Sequence, residues 1–199
     1  MIIAMEGVSC TGKSTLAANV AARLGWQTIG CYYHVADDPS VLGAPIARSD
    51  TELLNALTAH LGIEQERHRQ ATAALAQDGG VIMDRSVDTL LAHARAIGRL
   101  RRLDVDARAR AAVARQVTAS AAVVPDLTLL LTAEPAALVR RAASRPGLPP
   151  IYYDPKFAEH FNGHFTDPIS PRCVRIRADA APDQILEMAL AQVAMVGRT

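Results

Sequence analysis

Short runs of consecutive apolar residues alternate along this chain with longer segments whose apolar residues recur at helical spacing. Apolar runs bounded by turn residues predict buried strands, and apolar positions three or four residues apart predict amphipathic helices. Strands that alternate with helices predict right-handed crossovers and a mostly parallel α/β sheet, with ligands at the carboxyl ends of the strands. The predicted strands span residues 2–6, 27–32, 81–83, 127–131 and 173–177, and the predicted helices span 13–24, 50–77, 88–122, 135–144 and the segment from Pro182 onward.

Breaks in this pattern fall at Gly62, at residues 104–106, and in two irregular segments, 34–49 and 145–171. In the second segment, Arg145 is followed by a glycine between prolines. This predicts either a lid over about residues 145–156 or a plain surface loop. Phe157, Phe161 and Phe165 are four residues apart and predict one helix face, which favours core packing over a base-stacking platform.

The loop after the first predicted strand reads Gly7-x-x-x-x-Gly12-Lys13-Ser14, followed by Thr15. A strand, a glycine-bounded loop and a helix in this order are typical of the phosphate-binding P-loop. Successive backbone N–H groups and the helix N-terminus attract anionic oxygens, and the glycines allow tight turns and a close approach to the ligand. The lysine of such a loop reaches the β- and γ-phosphates, and the following hydroxyl ligates Mg²⁺.

Composition supports this assignment of Lys13. The chain has only two lysines, Lys13 and Lys156, among its 21 lysine and arginine residues. A compact ammonium on a flexible stem fits between phosphates where the planar arginine side chain does not. The general preference for arginine therefore does not extend to this position.

A second candidate site follows the third predicted strand, at Asp84 and Arg85. An aspartate at the carboxyl end of a buried strand beside a P-loop is suited to hold Mg²⁺ or to accept a proton, because a buried carboxylate needs a compensating partner. The adjacent guanidinium can bind a phosphoryl group in a bidentate manner. The alternative is an ordinary Asp–Arg pair at a strand end.

The whole chain excludes several function classes. Its 199 residues predict a single domain over residues 1–199, and its net charge of +1 argues against bulk attraction to nucleic acid or to anionic lipid. No apolar run approaches about 20 residues and the start lacks a secretory signal, so we expect a cytoplasmic protein with no membrane partner. Cys10, Cys31 and Cys173 are read as free thiols in a reducing compartment, and neither they nor the histidines show convincing metal spacing.

An arginine-rich stretch also invites a nucleic-acid interpretation. The neighbouring aspartates and the lack of interleaved aromatic residues weaken it, because single strands need a stacking surface. A solvated helix face or a subunit contact is favoured, so a homodimer is compatible with the sequence. The arginines are Arg95, Arg99, Arg101, Arg102, Arg108, Arg110 and Arg115.

Four blocks resemble, in order, those of thymidylate kinases and the related deoxynucleoside kinases: IIAMEGVSCTGKST, VIMDRSVDTLLAH, VPDLTLLLTAEPAALVRRAASR and CVRIRADAAPDQI. The resemblance covers most of the chain. It implies a P-loop NTPase fold, a three-layer sandwich with a five-stranded parallel sheet, flanking helices and a lid. It also implies phosphoryl transfer from ATP, with Mg²⁺, to a nucleoside or a nucleoside monophosphate.

The resemblance also implies roles for individual residues. Gly7, Gly12, Lys13, Ser14 and Thr15 would bind the donor phosphates, with Ser14 and Asp84 at the metal. Arg85 would contact the acceptor or the transferring group, and Arg67 resembles an arginine that holds an acceptor phosphate. Arg140 and Arg145 match donor-contacting and lid arginines, so that Lys13, Asp84, Arg85 and Arg145 form the predicted catalytic set.

The chain departs from thymidylate kinases after the second predicted strand. Their Arg-Glu-Pro-Gly-Gly block is replaced here by Tyr-Tyr-His-Val-Ala-Asp-Asp-Pro at 32–39. Deoxynucleoside kinases usually carry a glutamate base near this place, and Asp37 or Asp38 is a candidate to substitute for it at the substrate. Three hypotheses therefore stand: a nucleotide or nucleoside kinase, a kinase for another small hydroxyl compound, and a nucleotide-dependent switch. The switch ranks last because its guanine-specific Asn/Thr-Lys-x-Asp block is missing.

Overall fold

The computed structural model describes residues 1–42, 46–145 and 147–197. Two 3₁₀ turns, Pro39–Leu42 and Pro150–Tyr153, accompany the strands and helices. The strands are β1 (Ile2–Glu6), β2 (Gln27–Ile29), β3 (Val81–Asp84), β4 (Leu127–Thr132) and β5 (Cys173–Arg177). The helices are α1 (Lys13–Leu24), α2 (Tyr32–Val35), α3 (Asp50–Asp78), α4 (Val87–Arg101), α5 (Asp106–Thr118), α6 (Pro135–Ala142), α7 (Pro155–His164) and α8 (Pro182–Val196).

The strands form one sheet in the order β2-β3-β1-β4-β5, and each neighbouring pair is parallel. The predicted parallel α/β sheet is therefore confirmed. In the register of the sheet, Met5 lies opposite Asp84 and Glu6 lies opposite Leu130. The carboxyl ends of β1, β3 and β4 consequently meet at one edge, where an open parallel sheet binds its ligands.

Apolar residues pack on both faces of the sheet, as expected for strands that are buried on both sides. On one face, Ile3 and Leu129 belong to a buried cluster with residues of α1 and α8. On the other face, Leu130 clusters with residues of α4 and α7, and Met83 packs with Ala71 of α3. The sheet is thus the middle of three layers.

The sequence pattern predicted an end for β2 that is three residues too late. The strand stops at Ile29 rather than at residue 32, and α2 begins at Tyr32, which is fully buried. A short apolar run fits a buried strand and a buried helical turn equally well, so periodicity alone cannot distinguish them. The chain therefore turns back toward the sheet edge earlier than predicted.

Helix boundaries differ in other places. Helix α3 runs through Gly62 without a break, because leucines and alanines buried along its length outweigh the cost of one exposed glycine, about 1 kcal/mol. The predicted interruption between α4 and α5 is confirmed, while α5 ends at Thr118 and α6 at Ala142, earlier than expected. The irregular segment contains a further helix, α7, which carries the phenylalanine stripe.

Three arginines of the arginine-rich stretch form ion pairs with aspartates at the surface: Arg99 with Asp106, Arg108 with Asp50, and Arg110 with Asp167. These pairs agree with the predicted solvated helix face, and exposed pairs of this kind contribute little stability. Across residues 1–42, 46–145 and 147–197, every helix is too short or too polar to cross a membrane.

Candidate active site

The loop between β1 and α1 has the backbone that its glycines predict. Gly7 has a φ of 133°, and a Cβ at this position would lie 2.3 Å from the carbonyl oxygen of Leu131. Gly12 has a φ of 93° and immediately precedes α1, whose first turn holds Ser14 and Thr15. Thr11 Oγ1 donates to the carbonyl of Val8 at 2.9 Å, which closes the loop. The helix N-terminus and the loop amides therefore share one concave surface.

Lys13 lies inside this loop and is only 5 % exposed. Its Nζ donates to the carbonyl of Val8 at 2.8 Å. Burial, followed by the nearby Arg85, lowers the pKa of Lys13 to about 7, and the carboxylates of Asp84 and Glu6 partly oppose the shift. The ammonium is therefore short of negative partners, and arriving phosphate oxygens would supply them.

Asp84 and Ser14 meet across the sheet edge. Ser14 Oγ donates to Asp84 Oδ2 at 2.7 Å. Within the described ranges, the other oxygen, Asp84 Oδ1, is buried and accepts no hydrogen bond. An unpartnered buried carboxylate oxygen is costly. Hydroxyl and carboxylate oxygens are hard ligands that Mg²⁺ prefers, so this pair fits a magnesium site.

Arg85 follows Asp84 with a φ of 75°, which is uncommon for a side chain with a Cβ. Its backbone N–H donates to the carbonyl of Met5 at 3.1 Å and holds this turn. The side chain lines a cavity beside the loop. The structure therefore brings Lys13, Ser14, Asp84 and Arg85 to one place, as the sequence predicted.

Glu6, at the end of β1, is a buried carboxylate beside the site that the sequence analysis missed. It is fully buried, and Ser86 donates to its Oε1 from both the backbone N–H, at 2.7 Å, and Oγ, at 2.8 Å. Thr89 Oγ1 donates to the other oxygen. Burial raises the pKa of Glu6, and the hydrogen bonds from Thr89 and Ser86 moderate the shift. The available signal was a carboxylate that ends an otherwise apolar strand.

Arg67 reaches the site differently from the way the resemblance implied. It is fully buried, and its Nη1 forms an ion pair with Glu64 at 2.7 Å. Its other donors bind backbone carbonyls of Gly30 at 3.1 Å, Asp84 at 3.1 Å and Arg85 at 2.6 Å. The guanidinium also lies 4.3 Å from the ring centre of Tyr32. Arg67 thus connects the ends of β2 and β3 through hydrogen bonds and does not line the cavity.

On α6, the arginine that contacts the loop is the residue after the one that the resemblance implied. Arg140, which the sequence selected, is exposed, and so is Arg145. Arg141 instead donates to the carbonyl of Cys10 in the loop, at 3.3 Å, and to the carbonyl of Ala178, at 2.7 Å. Because Leu138 and Ala142 are the buried residues at the end of α6, helical spacing was the signal that could have favoured Arg141.

Asp37 and Asp38 are exposed and do not line the cavity. Asp38 accepts a hydrogen bond from the backbone N–H of Ser40 at 2.9 Å, and hydrogen bonding from the side chain and then the backbone of Ser40 lowers the pKa of Asp38. The structure therefore does not bring either carboxylate to the loop. Of the predicted lid, Pro146 lies outside the described residues, while Leu148, Pro149 and Tyr152 line the cavity.

A cavity of about 450 Å³ opens beside the loop, within the range of small-molecule sites. Tyr152, Phe157 and His93 form an aromatic wall with ring centres 5.8–6.1 Å apart. Phe157 and Phe161 pack in the core, as predicted, and also line the cavity. The full lining is Val8, Ser9, Cys31, Tyr32, Tyr33, Leu42, Leu53, Ala56, Leu57, His60, Arg85, Thr89, Leu90, His93, Ala94, Leu148, Pro149, Tyr152, Phe157 and Phe161.

The polar groups of this wall are mostly uncharged. Burial lowers the pKa of His60, and its Nδ1 lies 2.7 Å from the carbonyl of Ala56, which can only accept. Burial likewise raises the pKa of Tyr152. Arg85 is the permanent charge in the described lining. The cavity therefore suits an aromatic or sugar-like molecule with few charges of its own.

A buried aspartate holds α7 against this cavity. Asp88 accepts hydrogen bonds from His164 Nε2 at 2.6 Å and from the backbone N–H groups of Ile169 at 2.8 Å and Ser170 at 3.1 Å. A carboxylate with several donors is well compensated for burial. Because α7 supplies Phe157 and Phe161, this network positions the cavity wall without touching a ligand.

Three side chains that the sequence analysis treated separately also meet here. Cys31 Sγ, a ring nitrogen of His34 and a carboxylate oxygen of Asp84 lie within 4.8 Å of one another. The expectation that cysteines and histidines lack metal spacing was therefore incomplete. Sequence spacing shows the Cys-x-x-His pair but not the distant aspartate that joins it.

A family model described as Thymidylate kinase matches residues 5–166. The chain belongs to the thymidylate kinase family. A protein described as a probable thymidylate kinase, from Archaeoglobus fulgidus, is 31 % identical over 156 residues, which cover 76 % of this chain and 74 % of that protein. The resemblance drawn from the sequence blocks is therefore confirmed.

Solved structures of deoxyadenosine kinase from M. mycoides have the same fold as this thymidylate kinase family member. One, with dCMP and a flexible dCDP bound, has a TM-score of 0.72 at 13 % identity and covers 98 % of this chain and 100 % of its own. Another, with bound dATP, has a TM-score of 0.71 at 14 % identity and covers 98 % of this chain and 99 % of its own. These likenesses confirm the P-loop NTPase architecture.

Family membership makes the chain an ATP-dependent kinase that transfers a phosphoryl group to a nucleotide or a nucleoside. The two other hypotheses, a kinase for an unrelated hydroxyl compound and a nucleotide-dependent switch, are not favoured by these comparisons.

Proposed function

We propose that this kinase binds the triphosphate of ATP in the loop between β1 and α1, with Mg²⁺ between Ser14 and Asp84. Support comes from the shared surface of loop amides and helix N-terminus and from the unpartnered oxygen of Asp84. Bound there, Mg²⁺ would neutralise charge on the donor phosphates.

The chain's own residues then supply positioning and charge. Gly7 and Gly12 let the backbone approach the phosphates, and Lys13 exchanges the Val8 carbonyl for phosphate oxygens. Thr15, in the first turn of α1, presents a further hydroxyl and N–H on the donor side. Arg85 faces the cavity and contacts the transferring group. Such a transfer needs in-line positioning and cations more than covalent help.

On the donor side we favour Arg141 over Arg140 as the arginine that organises the base-binding edge. Arg141 connects the loop at Cys10 with Ala178, which follows β5. Arg145 and the turn at Pro150–Tyr153 belong to the proposed lid, which would exclude water from the transfer.

We further propose that the acceptor is an uncharged nucleoside, whose ring lies against Tyr152 and Phe157. The observation that carries this choice is the single guanidinium, Arg85, in the described lining of a mostly apolar cavity. An acceptor monophosphate would bring about two charges that need more than one cation. Arg67 was expected to be the second cation, but its N–H groups already donate to protein oxygens.

A nucleoside monophosphate is the second candidate. It is favoured by the 31 % identity to the protein from Archaeoglobus fulgidus that is described as a probable thymidylate kinase. Asp37 and Asp38 are not part of the proposed acceptor site in either case.

The acceptor assay compares nucleosides with their own 5′-monophosphates, and ADP release is measured at saturating ATP and Mg²⁺. We expect kcat/KM to be at least about 100-fold higher for the preferred nucleoside than for its monophosphate, because a buried unpaired charge costs several kcal/mol. A preference for monophosphates would overturn the nucleoside proposal and support the second candidate.

A cavity-filling variant tests where the acceptor binds. Ala56→Phe adds a ring to the cavity wall from α3, and Ala76→Phe adds the same ring to an exposed position of that helix. We expect Ala56→Phe to raise the acceptor KM by at least about tenfold with an unchanged KM for ATP, while Ala76→Phe leaves both values unchanged. Equal effects of the two variants would remove the acceptor from this cavity.

A further inference from the structure

We propose that Cys31, His34 and Asp84 form a binding site for a thiophilic divalent ion of the Zn²⁺ class, distinct in chemistry from the magnesium site. Cys31 Sγ lies 3.4 Å from His34 Nδ1. A carboxylate oxygen of Asp84 and the other two ligand atoms all lie within 4.8 Å of one another. Tetrahedral zinc bound by sulfur and nitrogen has an S···N separation of about 3.6 Å, so the observed pair is already close to ligand geometry.

The local fold brings Cys31 and His34 to one turn. After β2 ends, the backbone N–H of His34 donates to the carbonyl of Cys31 at 2.8 Å. A Cβ on Gly30 would lie 3.0 Å from the Cβ of His34, so a larger residue at position 30 would push the imidazole away. The Gly-Cys-x-x-His segment therefore presents thiol and imidazole side by side.

Arg67 fixes the two halves of the site relative to each other. Its guanidinium donates to the carbonyl of Gly30, at the β2 end, and to the carbonyl of Asp84, at the β3 end. Because Arg67 is fully buried and also paired with Glu64, this brace is rigid. A ligand set held by such a scaffold is preorganised for a metal.

Asp84 also indicates a cation, as it does for the magnesium site. Within the described ranges its Oδ1 is buried without a hydrogen-bond partner, although the residue is only 4 % exposed. The ligand chemistry then decides the class of ion. Thiolate and imidazole favour zinc and similar transition metals over magnesium, and three protein ligands leave a fourth position for water or substrate.

Sharing Asp84 has a consequence that rests on the proposed function. If Asp84 also holds Mg²⁺ beside Ser14, an ion bound to Cys31 and His34 draws the carboxylate away from magnesium. Zinc would then inhibit phosphoryl transfer, and additional Mg²⁺ would relieve the inhibition. The active site would thereby respond to the free concentration of a thiophilic metal.

Direct metal binding tests the site without any substrate. Metal-free full-length protein, kept reduced, is titrated with Co²⁺, whose bond to a thiolate gives a charge-transfer band in the near ultraviolet. We expect this band at one equivalent of Co²⁺ and its loss in Cys31→Ser. Cys173→Ser changes another half-buried cysteine and should retain the band. No band in the unmodified protein, or a band that persists in Cys31→Ser, would overturn the proposal.

His34 provides the functional comparison because it is exposed and does not line the cavity. We expect His34→Ala to keep the magnesium-dependent activity and to need at least about tenfold more Zn²⁺ for half inhibition. The two proposals can fail separately. A cobalt–thiolate band without zinc inhibition would retain Cys31 as a metal ligand and reject the sharing of Asp84 between the two ions, whereas intact kinase activity without the band would reject the metal site alone.

Discussion

Ser14 Oγ donates a hydrogen bond to Asp84 Oδ2 across 2.7 Å, and so joins the first turn of α1 to the end of β3. The two residues come together because β1 and β3 are adjacent parallel strands that end at the same edge of the sheet. This hydroxyl and this carboxylate, whose other oxygen has no hydrogen-bond partner among the described residues, form the hard-oxygen pair expected to hold Mg²⁺.

Replacing Asp84 with Asn tests this pair. The amide keeps the shape but removes the negative charge, so we expect the Mg²⁺ concentration for half-maximal activity to rise about 10- to 100-fold. A magnesium titration of ADP release measures the change. Asp183→Asn, at an exposed position in the first turn of α8, serves as the matched control and should behave as the unmodified protein. An unchanged magnesium titration in Asp84→Asn would give this carboxylate a purely structural role.

Donor binding should be coupled to proton uptake by Lys13. The pKa of Lys13 is lowered to about 7, so at about pH 8.5 the side chain is largely neutral in the free protein. Bound phosphates favour the charged form and raise this pKa again, which draws a proton from solution. We expect an uptake of more than about half a proton per bound non-hydrolysable ATP analogue at that pH.

Calorimetry in buffers of different ionisation enthalpy measures this uptake. It should disappear at about pH 6, where Lys13 is already largely charged before the ligand arrives. Proton release at the higher pH, or an uptake that does not fall at the lower pH, would contradict the lowered pKa.

The part of the site that the sequence predicted is the part set by local chain order. Gly7, Lys13 and Ser14 follow one another in a single loop, so their spacing fixes their relation to the backbone. Asp84 could be added because neighbouring strands of a parallel sheet end at one edge. In both cases the chemistry follows from connectivity, and the side chains need no distant packing to reach their places.

The residues that the sequence missed depend on packing between distant segments. Glu6 is defined by donors from the start of α4, and Arg141 by carbonyls of the loop and of the segment after β5. Arg67 was noticed, but its burial beneath Gly30 and Asp84 was not foreseeable, because the early end of β2 creates that arrangement. Periodicity reports which face of an element is apolar, not which partner it meets.

Arg67 should contribute to folding stability rather than to acceptor binding. Arg67→Lys keeps the charge but lacks the donors for Gly30, Asp84 and Arg85, so we expect the free energy of unfolding to fall by about 2–4 kcal/mol. Urea denaturation without ligand measures this loss. If Arg67 instead held an acceptor phosphate, the variant would raise the acceptor KM and leave the unfolding free energy unchanged.

The same helix offers a matched control for this substitution. Arg69 pairs with Glu66 at the same i,i+3 spacing as Arg67 with Glu64, but its side chain is 75 % exposed. Arg69→Lys should change the free energy of unfolding by less than about 0.5 kcal/mol, because exposed pairs are solvated in both states. Similar losses in the two variants would show that burial of the Arg67 pair is not what makes it important.

Gly7 should be intolerant of any side chain even without a ligand. A Cβ there would lie 2.3 Å from the carbonyl oxygen of Leu131 and 3.1 Å from Thr11 Oγ1, and its φ of 133° is itself unfavourable. Backbone cannot give way as a flexible side chain can, so we expect Gly7→Ala to cost at least about 3 kcal/mol of folding stability.

Gly25→Ala is the comparison, because Gly25 has a φ of 69° with open space around its Cβ position. It should cost about 1 kcal/mol through backbone strain alone. Urea denaturation of both variants separates the steric contact at Gly7 from the backbone strain. Equal losses of stability would mean that the contact with Leu131 relaxes without penalty. The loop would then be less tightly held against β4 than its geometry indicates.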